Sequence, residues 1–132
     1  MSEKLKDVLD SRVFVTVATL QPDGSPHQSV VWVGRDGDAL FFVTGVDKLK
    51  IRNLRRDPRL SVTVNPPDEP YGYAVISGIA RFESAGSGER LDELAVKYTD
   101  KTYAEHHPES YAVLPELVTV HVVPEKIAAR FL

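Results

Sequence analysis

From Val13 to Leu20 the chain reads Val-Phe-Val-Thr-Val-Ala-Thr-Leu, rich in β-branched residues and apolar on both alternating faces. That pattern predicts a strand covered on two sides. Gln21-Pro22-Asp23-Gly24 then supplies turn chemistry. Pro26–Gly34 reads as a second strand, Asp36-Gly37 as a hairpin signal and Ala39–Thr44 as a third strand, so the chain is expected to open as an antiparallel meander. Leu60–Asn65 sets Leu60, Val62 and Val64 against Ser61, Thr63 and Asn65, the pattern of a strand with one wet face. The loop Pro66-Pro67-Asp68-Glu69-Pro70 cannot enter a ladder, and β character resumes from Tyr71 to Glu83 with Gly78 placed for a bulge. Leu117–Val123 and Ile127–Phe131 form two final β runs divided by Pro124.

Helical spacing interrupts this pattern three times. Leu5, Val8 and Leu9 lie at i, i+3 and i+4 behind a Ser2 cap, predicting a short amphipathic helix over Ser2–Leu9 that covers an opening. Asp47 to Asp57 is bounded by a capping aspartate and by Pro58, predicting about three helical turns. Leu91, Leu94, Ala95 and Tyr98 make the stripe of an amphipathic helix over Gly88–Thr99. Between Asp100 and Pro115 the pattern is weak, with a short helix near Tyr103–His107. About six strands and two or three helices, without internal repeats or linkers, predict one mainly β (α+β) domain over residues 1–132. A small antiparallel barrel with peripheral helices suits strands apolar on both faces, because closure removes exposed edges.

Composition narrows the functional classes. In 132 residues, 42% are apolar and the net charge is -3, which excludes a disordered chain. There is no cysteine, so disulfides, thiolate metal sites and a cysteine nucleophile are absent together. No apolar run approaches the roughly 20 residues of a membrane span, and Met1–Asp10 is charged where a leader would be apolar, so a cytoplasmic protein without a membrane partner is expected.

Charge is distributed unevenly. Lys48 to Arg59 hold six basic residues and one acid, so a window of +5 sits in a chain of net -3 whose remainder totals -8. At about 100° per residue, Lys48, Arg52, Arg55 and Arg56 share one arc of the helix. Lys50 lies off that arc, beside Ile51 and Leu54, where its stem can cross apolar surface and carry its ammonium into a groove. Two readings stand open: a solvated face balanced by nearby acids, or an anion site completed by the helix N-terminus and Thr44. A nucleic-acid partner is disfavoured by the acidic remainder, whereas a small phosphorylated ligand fits one positive pocket on a negative protein.

The second predicted strand alternates polar and apolar groups. Ser29 and Val31 share one face with His27, and Gln28 and Val30 share the other, an arrangement that suits the edge and faces of a planar heterocycle. Packing is the competing reading for Ser29, and exposure at a turn for His27. His106-His107, between Glu105 and Glu109, superficially suggests metal ligation, but adjacent loop histidines do not converge without partners, and no metal site is expected. His121 reads as a core or interface histidine. With no nucleophile elbow, phosphate loop or spaced carboxylate pair, self-contained acid-base catalysis is unsupported, and any chemistry falls to a cofactor that the protein positions.

The run Lys50-Ile51-Arg52-Asn53-Leu54-Arg55-Arg56-Asp57-Pro58-Arg59, with Pro70-Tyr71-Gly72-Tyr73-Ala74-Val75-Ile76-Ser77-Gly78 after the next strand, resembles the split β-barrel flavin and deazaflavin proteins. It is most similar to the pyridoxamine-phosphate-oxidase-like class of actinobacterial proteins that use coenzyme F420. The resemblance extends from Val17-Ala18-Thr19 and Asp23-Gly24-Ser25-Pro26 to the closing strand, and it implies a six-stranded antiparallel split barrel. It also implies a cofactor phosphate held by Lys48, Lys50 and Thr44, and a ring lying along Gln28, Ser29, Val30 and Val31. Arg55 and Arg56 would face the acidic tail of the deazaflavin. The implied assembly is a homodimer with cofactor sites at the subunit interface, across which Tyr71 and Tyr73 reach. The implied activity is F420-dependent reduction of a small unsaturated organic substrate. Its contacts are expected from Pro66–Gly72 with Tyr103–Tyr111, where the chain departs most from any regular pattern. FMN, which shares the ring and the phosphate, is the alternative cofactor, and a non-catalytic F420 carrier the alternative role.

Overall fold

A computed structural model covering residues 1–132 resolves the apolar runs into seven strands: β1 (Val15–Leu20), β2 (Pro26–Val31), β3 (Gly34–Asp36), β4 (Ala39–Gly45), β5 (Arg59–Val64), β6 (Tyr73–Glu83) and β7 (Leu117–Arg130). They form one antiparallel sheet in the order β2-β1-β5-β6-β7-β4-β3. The two edge strands β2 and β3 are separated in the chain only by Trp32 and Val33. Flat, seven strands would place those edges about 29 Å apart, at about 4.8 Å per spacing. The connecting peptides reach about 11 Å. The sheet must therefore curl until its edges nearly meet, yet no ladder joins them, and the barrel stays split rather than closed.

This topology corrects the expected meander and the expected closure. β2 pairs only with β1, and the Asp36-Gly37 signal is spent on the β3–β4 hairpin at the opposite edge, where Gly37 takes the positive φ of 63° that such a turn requires. β1 is also covered unequally: Val15, Val17 and Thr19 are buried, while Thr16, Ala18 and Leu20 are half-buried. The two closing runs are one strand, while Gly34–Asp36 stands as a strand of its own beyond the end of the expected second one, so seven strands form where about six were expected. Gly78 pairs with Pro124 and Ser77 with Lys126, leaving Glu125 as the extra residue of a bulge that accommodates the proline's missing N–H. A Cβ on Gly78 would lie 2.0 Å from the Val123 carbonyl oxygen, so only glycine permits this approach.

Five helices flank the sheet: α1 (Glu3–Asp10), α2 (Leu49–Arg56), α3 (Ser87–Thr99), α4 (Tyr103–His106) and α5 (Pro108–Ala112). α4 is the short helix expected near Tyr103–His107, with Thr102 and Glu105 forming its capping box, and α5, capped by the His107 ring, is the one not foreseen. No helix is long and apolar enough to cross a membrane. Ser2 caps α1 as expected, accepting from the Leu5 N–H at 3.0 Å, and Leu5 and Leu9 carry α1 onto the core. The core joins these leucines to the inward valines of β1, β5 and β7, to Phe42 and Ile76, and to Ile51 and Leu54 of α2. Burying each such side chain stabilises by about 1.5–3 kcal/mol.

Helix α2 has two turns rather than three, and its N-cap is Lys48, not Asp47. It is fastened from beneath. Asn53, fully buried, donates to the Thr19 hydroxyl at 3.1 Å. Arg56 donates to the Asn53 side-chain oxygen and to the Leu20 carbonyl, so α2 is bolted to the end of β1 in one orientation.

Candidate functional site

That orientation decides where the basic residues go. A cavity of about 700 Å³ opens between the ends of β2 and β4, the start of α2, and the α3–α5 layer. Thr44, Gly45, Asp47, Lys48 and Lys50 line one end. The other is apolar and aromatic, with Phe14, Trp32, Leu91, Leu94, Tyr103 and Leu114. A Cβ on Gly45 would lie 2.7 Å from a Pro115 ring carbon, so the floor at β4 is glycine where the chain after α5 presses closest.

Lys50 is the distinctive group. Its ammonium donates to the Ser29 hydroxyl at 3.1 Å, a neutral partner, and it forms no ion pair with any carboxylate. Burial, and secondarily the neighbouring Lys48 charge, pull its pKa below the usual lysine value. A half-buried cation without a counter-charge, beside a second cation, is costly unless an anion joins it. No side chain caps α2, so its first-turn N–H groups face the same end. Asp47 lines this end as well, where the two ammonium groups outnumber its carboxylate.

The aromatic end is stiff. The Trp32 and Tyr98 rings stack with centroids 5.3 Å apart and planes 7° from parallel. The Tyr98 hydroxyl in turn donates to the Val13 carbonyl at 2.5 Å and accepts from the Val33 N–H at 3.1 Å, fixing Trp32 from behind. Burial raises the Tyr98 pKa, so the hydroxyl keeps its proton.

Of the residues singled out from sequence, Thr44, Lys48, Lys50, Val30 and Val31 line the cavity, and Ser29 joins through Lys50. Gln28 is exposed on the Val30 face of β2 and does not line it. Arg56 is committed to the bolt beneath α2, and Arg55 lies over the Phe82 ring at 4.6 Å. Tyr71 is 82% exposed, and Tyr73 pairs with Arg130 at the far end of β6. Tyr103 and Ser110 from the expected substrate-contacting segment reach the cavity, whereas Pro66–Gly72 does not.

The sequence reading missed Phe14, Leu91, Leu94 and Leu114, because apolar periodicity marks a buried face without saying whether core or cavity lies opposite. His27 is half-buried rather than exposed, with its Nδ1 buried and unpartnered. His107 serves as a helix cap, His106 packs against Trp32, and His121 lies 3.2 Å from a Glu83 carboxylate oxygen.

Solved structures share this architecture along nearly the whole chain. An F420 reductase is 26% identical with a TM-score of 0.82, covering 97% of this chain and 98% of that one. A conserved hypothetical protein from Mycobacterium tuberculosis is 27% identical with a TM-score of 0.80, covering 98% and 84%. A putative pyridoxamine 5'-phosphate oxidase from Listeria innocua is 25% identical with a TM-score of 0.71, covering 96% and 95%. The sequence profile for pyridoxamine 5'-phosphate oxidase matches residues 1–131, and with the split barrel and its cationic cavity this concludes the assignment: the chain belongs to the pyridoxamine 5'-phosphate oxidase family.

Proposed function

We propose that the chain is a coenzyme F420-dependent reductase acting on a small unsaturated organic substrate. The observation that carries the reading is Lys50, a half-buried ammonium with a hydroxyl for its partner and Lys48 for its neighbour. In this reading Lys48, Lys50 and Thr44 hold the cofactor phosphate, the free N–H groups of α2 add to them, and Val30 and Val31 lie against the ring with Gln28 at the strand's outer edge. Arg55, exposed further along α2, is left on the side where an acidic tail would leave, whereas Arg56 stays in the bolt beneath the helix. The bound deazaflavin supplies a two-electron hydride donor. The apolar end around Trp32 takes the acceptor, and the proton comes from water or a cavity side chain. A homodimer completes the site, with the exposed Tyr71 and Tyr73 contributed across the interface.

Support comes from the family and from an F420 reductase of 26% identity over nearly the full chain. The lysines serve FMN equally well, so the test sets the two against each other. Fluorescence titration of the purified protein with oxidised F420 and with FMN is expected to give saturable F420 binding at least tenfold tighter, or about 1.4 kcal/mol. Lys50→Glu is expected to weaken that binding about 100-fold or more, about 2.7 kcal/mol. Tighter FMN binding makes the protein an FMN oxidoreductase of the same fold. F420 binding without turnover in a substrate screen makes it a carrier, and binding of neither overturns the cofactor reading.

A further inference from the structure

The segment Thr102–Leu114 is tied to itself far better than to the rest of the molecule. Internally it has the Thr102–Glu105 capping box and the His107 ring accepting from the Ser110 N–H at 3.3 Å. Externally one hydrogen bond leaves it, from the Tyr103 N–H to the Asp92 carboxylate at 2.9 Å, and one ring contact, His106 to Trp32 with centroids 6.0 Å apart. None of its residues in α4 or α5 is buried, and none forms an ion pair.

What lies beneath it is space. Leu114 stands between the 700 Å³ cavity and a second of about 520 Å³, and the two share Leu91, Leu114 and Leu117 as walls. The segment begins just past Asp100, which ends α3 in the left-handed region at φ 64°, and ends at Pro115, seated against Gly45. A unit with firm internal caps, thin external anchoring and empty volume below moves as a body rather than by melting.

We propose that Thr102–Leu114 is a lid hinged at Asp100 and Pro115, latched by His106 on Trp32, and that filling the main cavity drives it shut. This goes beyond the cofactor reading, because it concerns how any ligand enters and leaves. Tyr103, Ser110, Val113 and Leu114 line the cavity from the lid, so a bound molecule supplies the contacts that the lid lacks. The aromatic end would then be dry when occupied and open for exchange when empty.

Because the chain has no cysteine, Val96→Cys on α3 and Glu109→Cys on the lid can be spin-labelled together for double electron-electron resonance. The free protein is expected to give a broad or two-peaked distance distribution that collapses to one narrow peak with saturating F420 or FMN. His106→Ala is expected to shift the free protein toward the open peak and to raise acrylamide quenching of Trp32, the only tryptophan, at least twofold. A single narrow distance that neither ligand nor His106→Ala alters overturns the lid. If neither cofactor binds, the cofactor reading fails, while the free-protein distribution and the His106→Ala quenching still decide the lid.

Discussion

Two clusters of positive charge in this molecule are handled in opposite ways. At the corner where α1, β3 and α3 meet, each arginine has an acid. Arg35 makes a two-point contact with Asp10 at 2.9 and 2.7 Å, Arg90 reaches Asp36 at 2.7 Å, and Arg12 pairs with Asp100. Lys97, half-buried there, donates to the Leu9 and Val33 carbonyls at 2.6 Å each. On α2 none of Lys48, Lys50, Arg52 or Arg55 has a carboxylate partner. Arg52, Arg55 and Arg56 are exposed, as a solvated face would be, but of the bases in this run only Arg59 is balanced by an acid, Asp57. The charges at the corner are matched within the fold, whereas Lys48 and Lys50, the two bases that line the cavity, are not.

This contrast can be broken from either side. The largest effect belongs to Lys50. Its pKa is depressed in the free protein and would be raised by a bound anion, so binding takes up a proton once the free group has begun to lose its own. Affinity for a phosphate-bearing ligand is expected to fall as pH rises above the free group's depressed pKa, by at most about tenfold per pH unit. Titration across alkaline pH checks this, and Lys50→Gln should lose the dependence.

The next effect is at the matched corner. Lys97→Met leaves two carbonyls without a donor and is expected to cost about 1–3 kcal/mol in urea unfolding. Burial holds the Lys97 pKa at about 8 against an ordinary 10.5, so the unfolded chain binds more protons between those values and stability rises with pH there. Above pH 10 the raised Tyr98 pKa works the other way, so the rise is expected from about pH 8 to 10 and should flatten in Lys97→Met. The smallest effect is Asp10→Asn, which loosens a partly exposed pair and is expected to cost about 1 kcal/mol or less. Cofactor affinity should not change, and a change there would mean that the two clusters are coupled.

The strand and helix content was legible because it is written in local rules. Alternation gave β5 and β6, the Gly78 bulge followed from a glycine inside a β run, and the Leu91–Tyr98 stripe gave α3. Lys50 stood out because its helical angle departs from that of the other bases. What stayed hidden depended on pairing at a distance. Nothing local says that β2 and β3 end on opposite edges, that Pro124 sits in a bulge rather than at a strand end, or that Asn53 and Arg56 fasten α2 rather than face a ligand.

The sequence by itself determined the amphipathic faces, the turns, the absence of cysteine and the concentration of bases in one short helix, since each is a property of composition or of spacing within a few residues. Only the tertiary structure decided that Lys50 meets Ser29, 21 positions earlier, that Trp32 is braced by Tyr98, and that the α4–α5 segment lies over empty volume. Those outcomes depend on how the sheet curls and on which acids are carried away from α2. That is fixed by the summed packing of the whole chain and not by any segment of it.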